Sequence, residues 1–378
     1  MKVVVAPQAF KGTASAADAA EAMRLGVVRA MPDACVTVVP IADGGGGTVD
    51  ALVTATGGRW VTSPAADPLG RPIEARWGVL GDGETAVIET AAASGLALLA
   101  HSERDPTVTT TRGTGDLIRA ALESGYRRIL VGLGDSATND AGVGMAQALG
   151  FRVLDERGRD LPPGGASLAR LASIDCEGAH PALASASVIA LCDVTNPLCG
   201  PEGAAAVFGP QKGADPAQVA LLDSALRRFA QVVKERMSLD VLDMPGAGAA
   251  GGLGAGLVAF CGAALRPGFE VVSAAVRLAD SLAGADLVLT GEGRLDAQTR
   301  AGKGVCGVAA LAREHGSPCV AAIVGLDALD AEGRAALGID EVYELAPSQD
   351  EAGDTLQRIE SAAARAVASF VGGIRIGS

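Results

Sequence analysis

An apolar run followed at once by glycines and charges occurs late in the chain: Leu287-Val288-Leu289-Thr290-Gly291-Glu292-Gly293-Arg294-Leu295-Asp296. Its first half lacks polar alternation, which is typical of a β-strand buried on both faces of a parallel sheet. In open α/β sheets, ligands bind outside the carboxyl ends of the strands. The stretch therefore indicates an α/β fold and shows where along the chain to look for a site.

The same kind of apolar run recurs along the chain and alternates with alanine-rich segments of helical spacing. We predict strands at 3–6, 36–41, 129–133, 188–192, 287–290, 320–324 and 341–345. We predict helices at 15–30, 115–124, 217–237, 272–283, 304–315 and 351–371. This alternation indicates an α/β protein with a parallel sheet. The alternation weakens at about 63–110 and 195–270, which predicts a second domain inserted into the first.

Five of the predicted strands end in small, polar and charged residues. The loops that follow these strands are 8–13, 42–48, 134–140, 193–197 and 291–296. Helix capping explains one or two such residues in each loop. It does not explain the run Asp135-Ser136-Ala137-Thr138-Asn139-Asp140. The loops therefore predict a ligand site at the carboxyl ends of the strands.

The overall charge restricts the partners. The 378 residues include 31 Lys and Arg against 44 Asp and Glu, a net charge of −13. Nucleic acids and anionic membranes need a basic surface, so we expect neither as a partner. The start of the chain predicts a strand rather than a signal peptide, and there is no apolar run of membrane-spanning length. We therefore expect a cytoplasmic protein.

The inventory of reactive side chains narrows the chemistry. The three histidines, His101, His180 and His315, lie outside the five loops, so a Ser-His-Asp or Cys-His mechanism is not expected. The seven cysteines are scattered and lack zinc-binding spacing. Carboxylates, hydroxyls, lysine, arginine and glycine-rich backbone remain. This set suits Mg²⁺-assisted phosphoryl transfer, in which the protein positions phosphates and supplies a carboxylate base.

Glycine-rich segments are the candidate phosphate loops, since P-loop and protein-kinase motifs are absent from the sequence. The densest segment, 245–256, contains Gly251 and Gly252. Its glycines suit either backbone N–H groups that approach a phosphate or close helix packing. The turn 43–48 opens a helix with N–H groups suited to an anion. Of the five lysines, Lys11, Lys212 and Lys303 adjoin glycine, as anion-binding cations would.

Asp193 and a charged set near the C-terminus are the candidate catalytic groups. Asp193 directly follows a predicted buried strand and suits either a base for a hydroxyl proton or a Mg²⁺ ligand. An Asx turn or an N-cap is the alternative role. Glu292, Arg294 and Asp296 alternate on a predicted glycine turn, with Asp296 a second candidate Mg²⁺ ligand. A surface ion network is the alternative for this set.

At these residues the sequence resembles the bacterial glycerate kinase family. The similarity extends along nearly the whole chain and rests on 6–12, 42–48, 110–115, 136–140, 192–198, 203–213, 246–256 and 290–296. The resemblance implies transfer of a phosphoryl group from ATP, with Mg²⁺, to the hydroxyl of a small hydroxy acid, most simply D-glycerate. It also implies a flavodoxin-like doubly wound domain formed by 1–62 and 283–378. A mixed α/β domain, 63–282, is inserted, and the active site lies in the cleft between the two.

The resemblance also implies roles for particular residues. Asp193 is the candidate base and forms the candidate catalytic set with Lys11 and Arg294. Lys11, Ser136, Asn139 and Arg294 are candidate contacts to the substrate or to phosphate. We assign further substrate or phosphate contacts to Asp43, Gly44, Gly45, Arg112, Thr138, Asn196, Gly251, Gly252 and Glu292. We expect a monomer or a homodimer.

Some loop residues depart from the family motifs. Gln8 and Ala9 stand where the family has Asp and Ser, and Gly46 where it has Glu. Arg112 replaces a Tyr, and Asp135 replaces the second Gly of a Gly-Gly pair. Loss of two acids and a hydroxyl with gain of an arginine makes the loops more positive. A hydroxy acid with an extra anionic group is therefore the alternative substrate.

Two other functions stay open at this point. One is a non-catalytic small-molecule sensor on the kinase fold. The other is a dehydrogenase, which is disfavoured because no strand-linked Gly-x-Gly-x-x-Gly occurs.

Overall fold

A computed structural model describes residues 1–10, 12–42, 44–296, 304–345 and 355–376. Contacts divide the chain into two compact units. The first consists of Met1–Asp43, Asp50–Gly57 and Phe269–Ser378, and the second of Gly44–Val49 and Gly58–Gly268. The predicted site residues Lys11 and Asp43, like Lys303, lie outside the described residues. The domain boundaries predicted at 62/63 and 282/283 stay predictions, as does a site between the domains.

The strands, in chain order, are β1 Lys2–Pro7, β2 Cys35–Val38, β3 Arg59–Ala66, β4 Pro72–Val79, β5 Thr85–Glu89, β6 Arg128–Gly132, β7 Arg152–Leu154, β8 Ser173–Asp175, β9 Ser187–Leu191, β10 Ala264–Arg266, β11 Leu287–Leu295, β12 Val320–Asp327 and β13 Glu341–Glu344. The α-helices are α1 Ala16–Ala30, α2 Thr48–Thr56, α3 Ala91–Ser94, α4 Arg112–Glu123, α5 Val143–Ala148, α6 Ala204–Phe208, α7 Pro216–Met237, α8 Ala249–Cys261, α9 Gly268–Ala275, α10 Leu278–Leu282, α11 Val305–Glu314, α12 Ala331–Ala336 and α13 Thr355–Ile376.

The first unit is built on a parallel five-stranded sheet with the order β13-β12-β11-β1-β2. Counted along the unit, this order is 2-1-3-4-5, the flavodoxin-like arrangement. Side chains of β1 alternate between the two faces of the sheet. Val4 joins a core cluster with Val308 of α11, whereas Val5 joins one with Met23 of α1 and Ile359 of α13. The predicted doubly wound α/β fold is confirmed.

Sequence-local features explain how α1 sits on this sheet. Ser15 caps the helix, because its side chain accepts a hydrogen bond from the Asp18 N–H at 3.0 Å. Gly26 lets α1 approach α13 closely, since a Cβ at this position would lie 2.1 Å from the Glu360 carbonyl oxygen. The helices that cover one face of the sheet are therefore fixed by a cap and by a glycine contact.

The second unit is built on a six-stranded mixed sheet with the order β10-β9-β6-β5-β4-β3. Strands β10, β9, β6 and β5 are parallel, whereas β4 and β3 run antiparallel. Strands β7 and β8, which come between β6 and β9 in the chain, form a separate antiparallel pair. The central parallel strands β5 and β6 are apolar and buried over Ala86–Ile88 and Ile129–Val131. Their carboxyl ends meet at one edge, which brings several predicted loops together.

Several predicted elements differ from the structure. Strand β11 continues to Leu295, so Glu292 and Arg294 pair with β12 rather than lying on a glycine turn. Glycines allow this pairing, since a Cβ at Gly325 would lie 2.5 Å from the Gly293 carbonyl oxygen. The helix predicted at 272–283 is two helices, α9 and α10, because Arg277 between them has φ +52°. Within the described ranges, no helix has both the length and the apolar character needed to cross a membrane.

Candidate active site

The carboxyl edge of the six-stranded sheet presents Asp193. This residue follows β9 and is half-buried. Its Oδ1 accepts a hydrogen bond at 2.9 Å from the N–H of Gly268, which follows the neighbouring strand β10. This bond joins positions 75 apart, so it is neither an Asx turn nor a local N-cap, and the alternative role of Asp193 stays a prediction. The bond fixes the orientation of the carboxylate at the strand end.

The glycine turn after β2 lies on the same edge. The Gly44 carbonyl accepts a hydrogen bond at 3.0 Å from the Gly134 N–H at the end of β6. Gly44 has φ +96°, and a Cβ there would lie 2.9 Å from the Leu191 carbonyl oxygen at the end of β9. The Thr48 hydroxyl donates to the Gly45 carbonyl at 2.6 Å. The structure therefore brings Gly44 and Gly45 to the ends of β6 and β9.

Asp135 also contacts this turn. Its Oδ2 accepts a hydrogen bond at 3.0 Å from the Gly46 N–H. Asp135 is exposed and has φ +57°, a conformation that favours glycine. Asp135 therefore replaces one of the two acids that the loops lack relative to the family motifs. A carboxylate does stand beside Gly46, where the family motif has Glu, which weakens the case for an altered, more anionic substrate.

A buried lysine supports the loop after β6. Lys212 is 2% exposed, and its ammonium donates to the Ser136 hydroxyl at 2.8 Å and to the Thr138 carbonyl at 2.7 Å. Burial lowers the pKa of Lys212 to about 7, although the charge of Asp140 opposes this shift. Lys212 was not among the predicted site residues. Its position beside a glycine was the signal in the sequence.

Asp140 joins this loop to the segment before α4. It is fully buried and accepts hydrogen bonds from the Thr111 N–H at 2.9 Å, the Thr111 hydroxyl at 3.0 Å and the Gly144 N–H at 3.1 Å. Burial raises the pKa of Asp140, against the effect of these donors. The adjoining Arg112 begins α4 with an exposed side chain, and no partner for its guanidinium exists among the described residues.

Asn139 is the most informative side chain of the site. It is 1% exposed, and neither its amide nitrogen nor its amide oxygen has a hydrogen-bond partner in the described part of the chain. The Thr138 hydroxyl is also buried and likewise has no hydrogen-bond partner in the described part of the chain. Buried polar groups are nearly always hydrogen-bonded. Two neighbouring exceptions at a strand end point to a bound molecule or ordered water.

Asn196, another predicted contact, behaves differently from Asn139. Its side-chain amide donates to the Glu202 backbone carbonyl at 2.8 Å, and the Asn196 backbone carbonyl accepts from the Gly248 N–H at 3.1 Å. These bonds shape the loop after β9. The structure therefore supports a structural role for the Asn196 side chain, and contact with substrate stays a prediction.

The glycines of the 245–256 run pack against the loop that carries Asn139. Gly251 has φ +68° and is buried, and a Cβ there would lie 1.9 Å from the Thr138 carbonyl oxygen. Gly252 has φ +87°, and Ala141 donates to the Gly251 carbonyl at 3.1 Å. The structure supports the packing interpretation of this run. Contact of Gly251 and Gly252 with phosphate stays a prediction.

The remaining candidates lie in the first unit, where the strand order reverses between β1 and β11. Such a reversal is the usual ligand position in an open α/β sheet. The Gln8 N–H donates to the Gly291 carbonyl at 2.8 Å, and Glu292 is half-buried one residue further along β11. Arg294 is mostly exposed and pairs with Asp296 at 3.2 Å. This pair also fits the alternative of a surface ion network.

A divalent cation was predicted at Asp193 or Asp296. The described residues contain no group of three or more His, Cys, Asp or Glu side chains able to hold a metal. Mg²⁺ in phosphoryl-transfer sites is held by one or two carboxylates together with substrate phosphates and water. Single carboxylates at strand ends fit that donor set.

Comparison with known proteins agrees with the resemblance seen in the motifs. The model of the glycerate kinase family matches residues 3–374. A glycerate 2-kinase from Escherichia coli is 49% identical over 85% of this chain and 84% of its own. A glycerate kinase from Bacillus subtilis is 46% identical over 92% and 91%.

Structural comparison gives the same result. A crystal structure from Salmonella typhimurium LT2, described as a glycerate kinase 2, superposes with a TM-score of 0.88 at 46% identity over 99% of both chains. The chain therefore belongs to the glycerate kinase family.

Proposed function

We propose that this kinase transfers the γ-phosphoryl group of ATP to the 2-hydroxyl of D-glycerate. Its family supports phosphoryl transfer to an alcohol, and the name of the Escherichia coli relative supports the 2-position. The observation that carries the proposal is the buried Asn139, whose amide has no partner in the described chain. This residue lies in the loop after β6, and β6 pairs with β9, the strand that Asp193 follows. A polar substrate would supply the missing hydrogen bonds.

Asp193 acts as the proton acceptor in this proposal. As the glycerate oxygen bonds to the γ-phosphorus, the hydroxyl proton passes to the Asp193 carboxylate and the bond to the ADP oxygen breaks. The products are phosphoglycerate and ADP. The Gly268 N–H, which bonds Oδ1, holds the carboxylate in one orientation during this transfer.

Backbone N–H groups and cationic side chains bind the negatively charged groups of ATP and glycerate in this proposal. The N–H groups of the turn at Gly44 and Gly45 open α2 and suit an anion. Lys212, which donates to the Ser136 hydroxyl and the Thr138 carbonyl, adds positive charge to this loop in its protonated form. The exposed Arg112 is available to a substrate anion. Lys11 and Arg294 complete the proposed set of cations.

We further propose that ATP binds as its magnesium complex. The bound ion would supply charge neutralisation for the transferring phosphoryl group. Asp193 or Asp296 would supply the protein carboxylate for this ion. Glu292 is a proposed neighbour of the nucleotide or substrate phosphate.

Replacement of Asp193 tests the role of the base. Asp193→Asn should lower kcat by about 10²- to 10⁴-fold, the usual contribution of a general base. The far-UV circular dichroism should not change, because the amide oxygen can still accept from Gly268. ADP release with D-glycerate is the measurement. Asp160→Asn is the control, since Asp160 is an exposed acid paired with Arg152 on β7. Full activity of Asp193→Asn would exclude this residue as the base.

Phosphorus NMR distinguishes the possible products. A phosphate on the 2-position couples to one C–H proton and gives a doublet, whereas a phosphate on the 3-position couples to two and gives a triplet. We expect the doublet. Tartronate, which carries a second carboxylate, tests the alternative substrate. Faster turnover of tartronate than of D-glycerate would favour that alternative, and turnover of no hydroxy acid would leave a sensor as the explanation.

A further inference from the structure

Asp135 is held in a conformation that has an energetic cost. Its φ of +57° lies in the left-handed region, where residues with a Cβ are uncommon. Strain of this kind persists where the surroundings impose it, often at functional sites. The residue stands between Gly134 and Ser136, both of which make the site contacts described above. Its carboxylate bonds to the Gly46 N–H at 3.0 Å across 89 positions of sequence.

Gly46 is a different kind of glycine from its neighbours. Gly44 and Gly47 have φ of +96° and +91°, which require glycine, whereas the φ of Gly46 is not positive. A Cβ at Gly46 would meet one atom within 4 Å, the Asp135 Oδ2 at 3.0 Å. The Asp135 carboxylate is therefore what occupies the space of a side chain at position 46.

The same space also suits the reverse arrangement, an acid at position 46 and glycine at position 135. A carboxylate at 46 would need no backbone change, and glycine at 135 would relieve the strain. Both arrangements put one carboxylate between the turn 44–49 and the end of β6. Two carboxylates would repel each other. With none, the turn would lose its bond to Asp135 and keep the bonds from Gly134 N–H to Gly44 and from Val49 N–H to Glu89 Oε1.

We infer that Gly46 and Asp135 form an exchangeable pair that must carry one carboxylate, and that Asp135 is the positioning residue that fixes the turn 44–49 for substrate binding. The inference rests on the proposed function in that the turn meets an anion of glycerate or ATP. Asp135 acts through the backbone of Gly46.

A double-mutant cycle tests this pair with Gly46→Glu, Asp135→Gly and the double variant. Each single change should raise the KM of D-glycerate or of ATP by about tenfold, the usual effect of losing a charge-assisted hydrogen bond or of adding a like charge. We expect kcat to stay within about threefold. The double variant should recover to within about threefold of the wild-type KM. A KM in the double variant equal to the product of the two single effects would overturn the inference.

Asp135→Asn separates the hydrogen bond from the charge. Asn tolerates the left-handed conformation and its amide oxygen can accept from Gly46. We expect a smaller rise in KM than in Asp135→Gly. Asp160→Asn again serves as the control acid. An Asn variant as impaired as the Gly variant would contradict positioning through the hydrogen bond.

Amide hydrogen exchange gives a readout independent of turnover. The N–H groups of residues 44–49 should exchange faster in Asp135→Gly and return towards the wild-type rate in the double variant. Unchanged exchange in Asp135→Gly would overturn the inference. If the wild-type enzyme fails to phosphorylate D-glycerate, the proposed function fails, while the exchange rates still decide whether the pair holds the turn.

Discussion

At the scale of single residues, the buried polar groups of the candidate site differ in how many hydrogen bonds they make. Lys212 and Asp140 make several hydrogen bonds each, whereas Asn139 and the Thr138 hydroxyl make none that the described residues show. A buried unsatisfied group costs about 1–3 kcal/mol. The fold therefore tolerates a cost at Asn139 that a bound ligand would remove.

Asn139→Ala should separate activity from stability. The free energy of unfolding should stay the same or rise, because the change removes an unsatisfied buried amide. The kcat/KM for D-glycerate should fall by at least about 100-fold if the amide binds substrate in the transition state. Urea denaturation and ADP release are the measurements. Asn196→Ala is the matched control for stability, and loss of its bond to the Glu202 carbonyl should cost about 1 kcal/mol. Unchanged activity of Asn139→Ala would contradict its role.

Lys212 should make stability depend on pH. Its pKa is about 7 in the folded protein, below its ordinary value of 10.5, so the unfolded chain binds more protons between these values. Stability should therefore rise from pH 7 towards pH 10.5 relative to Lys212→Met. Urea denaturation across this range is the measurement, and subtraction of the variant removes the effect of thiols and tyrosines. Lys234→Met, at an exposed lysine paired with Asp240, is the control. Parallel curves for wild type and Lys212→Met would contradict the shift.

The predictability of site residues depends on how far apart in sequence their partners lie. Ser136, Thr138 and Asn139 were predicted because they form one motif at a strand end. The Lys212 contact to Ser136 joins positions 76 apart, and periodicity carries no information on such a pair. The hydrogen bond from the Gly46 N–H to Asp135 likewise joins positions far apart, 89 residues, so the sequence pattern could not predict it. Its effect on the charge of the site became visible only in the structure.

At the scale of elements, glycines decide where backbones meet. The start of α8 contains three left-handed residues, Ala250, Gly251 and Gly252, which turn the chain against the loop of Thr138. The predicted glycine turn after β11 is instead an extension of that strand, because Gly293 faces Gly325. The sequence pattern showed where glycine is concentrated. It did not distinguish a phosphate loop from a packing contact, since both need a backbone without Cβ.

Gly251→Ala should destabilise the protein strongly. The new Cβ would lie 1.9 Å from the Thr138 carbonyl oxygen at a φ of +68°, so clash and strain both act. We expect a loss of at least about 3 kcal/mol in the free energy of unfolding. Gly262→Ala is the matched control at the other end of α8, where φ is +60° and nothing lies within 4 Å. It should cost about 1–2 kcal/mol. Equal losses in urea denaturation would contradict the packing role.

Most strands of the parallel sheets were predicted, whereas two parallel strands, the buried β5 and the short β10, and the antiparallel edge were not. Strands β3 and β4 have alternating rather than continuous burial, and they pair along their full length from Arg59–Val79 to Ala66–Pro72. They fell in the region of weak βα alternation. Helices α9 and α10 were merged into one because a left-handed Arg277 leaves no mark on hydrophobic spacing.

At the scale of the whole molecule, the strand order 2-1-3-4-5 of the first unit follows from strands at both ends of the sequence. The α/β class was predictable from alternating elements. Which strands are neighbours in the sheet was not predictable from this alternation, because β1 pairs with β11, a strand far away in the sequence. The family resemblance supplied that arrangement.

The net charge of −13 should exclude binding to polyanions. At about 0.1 M salt the Debye length is roughly 10 Å, so a few local cations cannot recruit a long duplex against the overall repulsion. We expect no shift of a DNA duplex in electrophoresis at micromolar protein. Micromolar binding that weakens steeply with salt would contradict this expectation.

The pairing of β1 with β11 has a consequence for the newly made chain on the ribosome. Ala6 of β1 and Thr290 of β11 bond across 284 positions. At ~5–20 residues per second, roughly 15 to 60 s separate their synthesis. Strands β1 and β2 must remain without this neighbour while residues 58–268 emerge and build their own sheet. Strands β1 and β2 are therefore made well before the neighbour that completes their sheet, and during that interval they are the segment that a chaperone has most reason to protect.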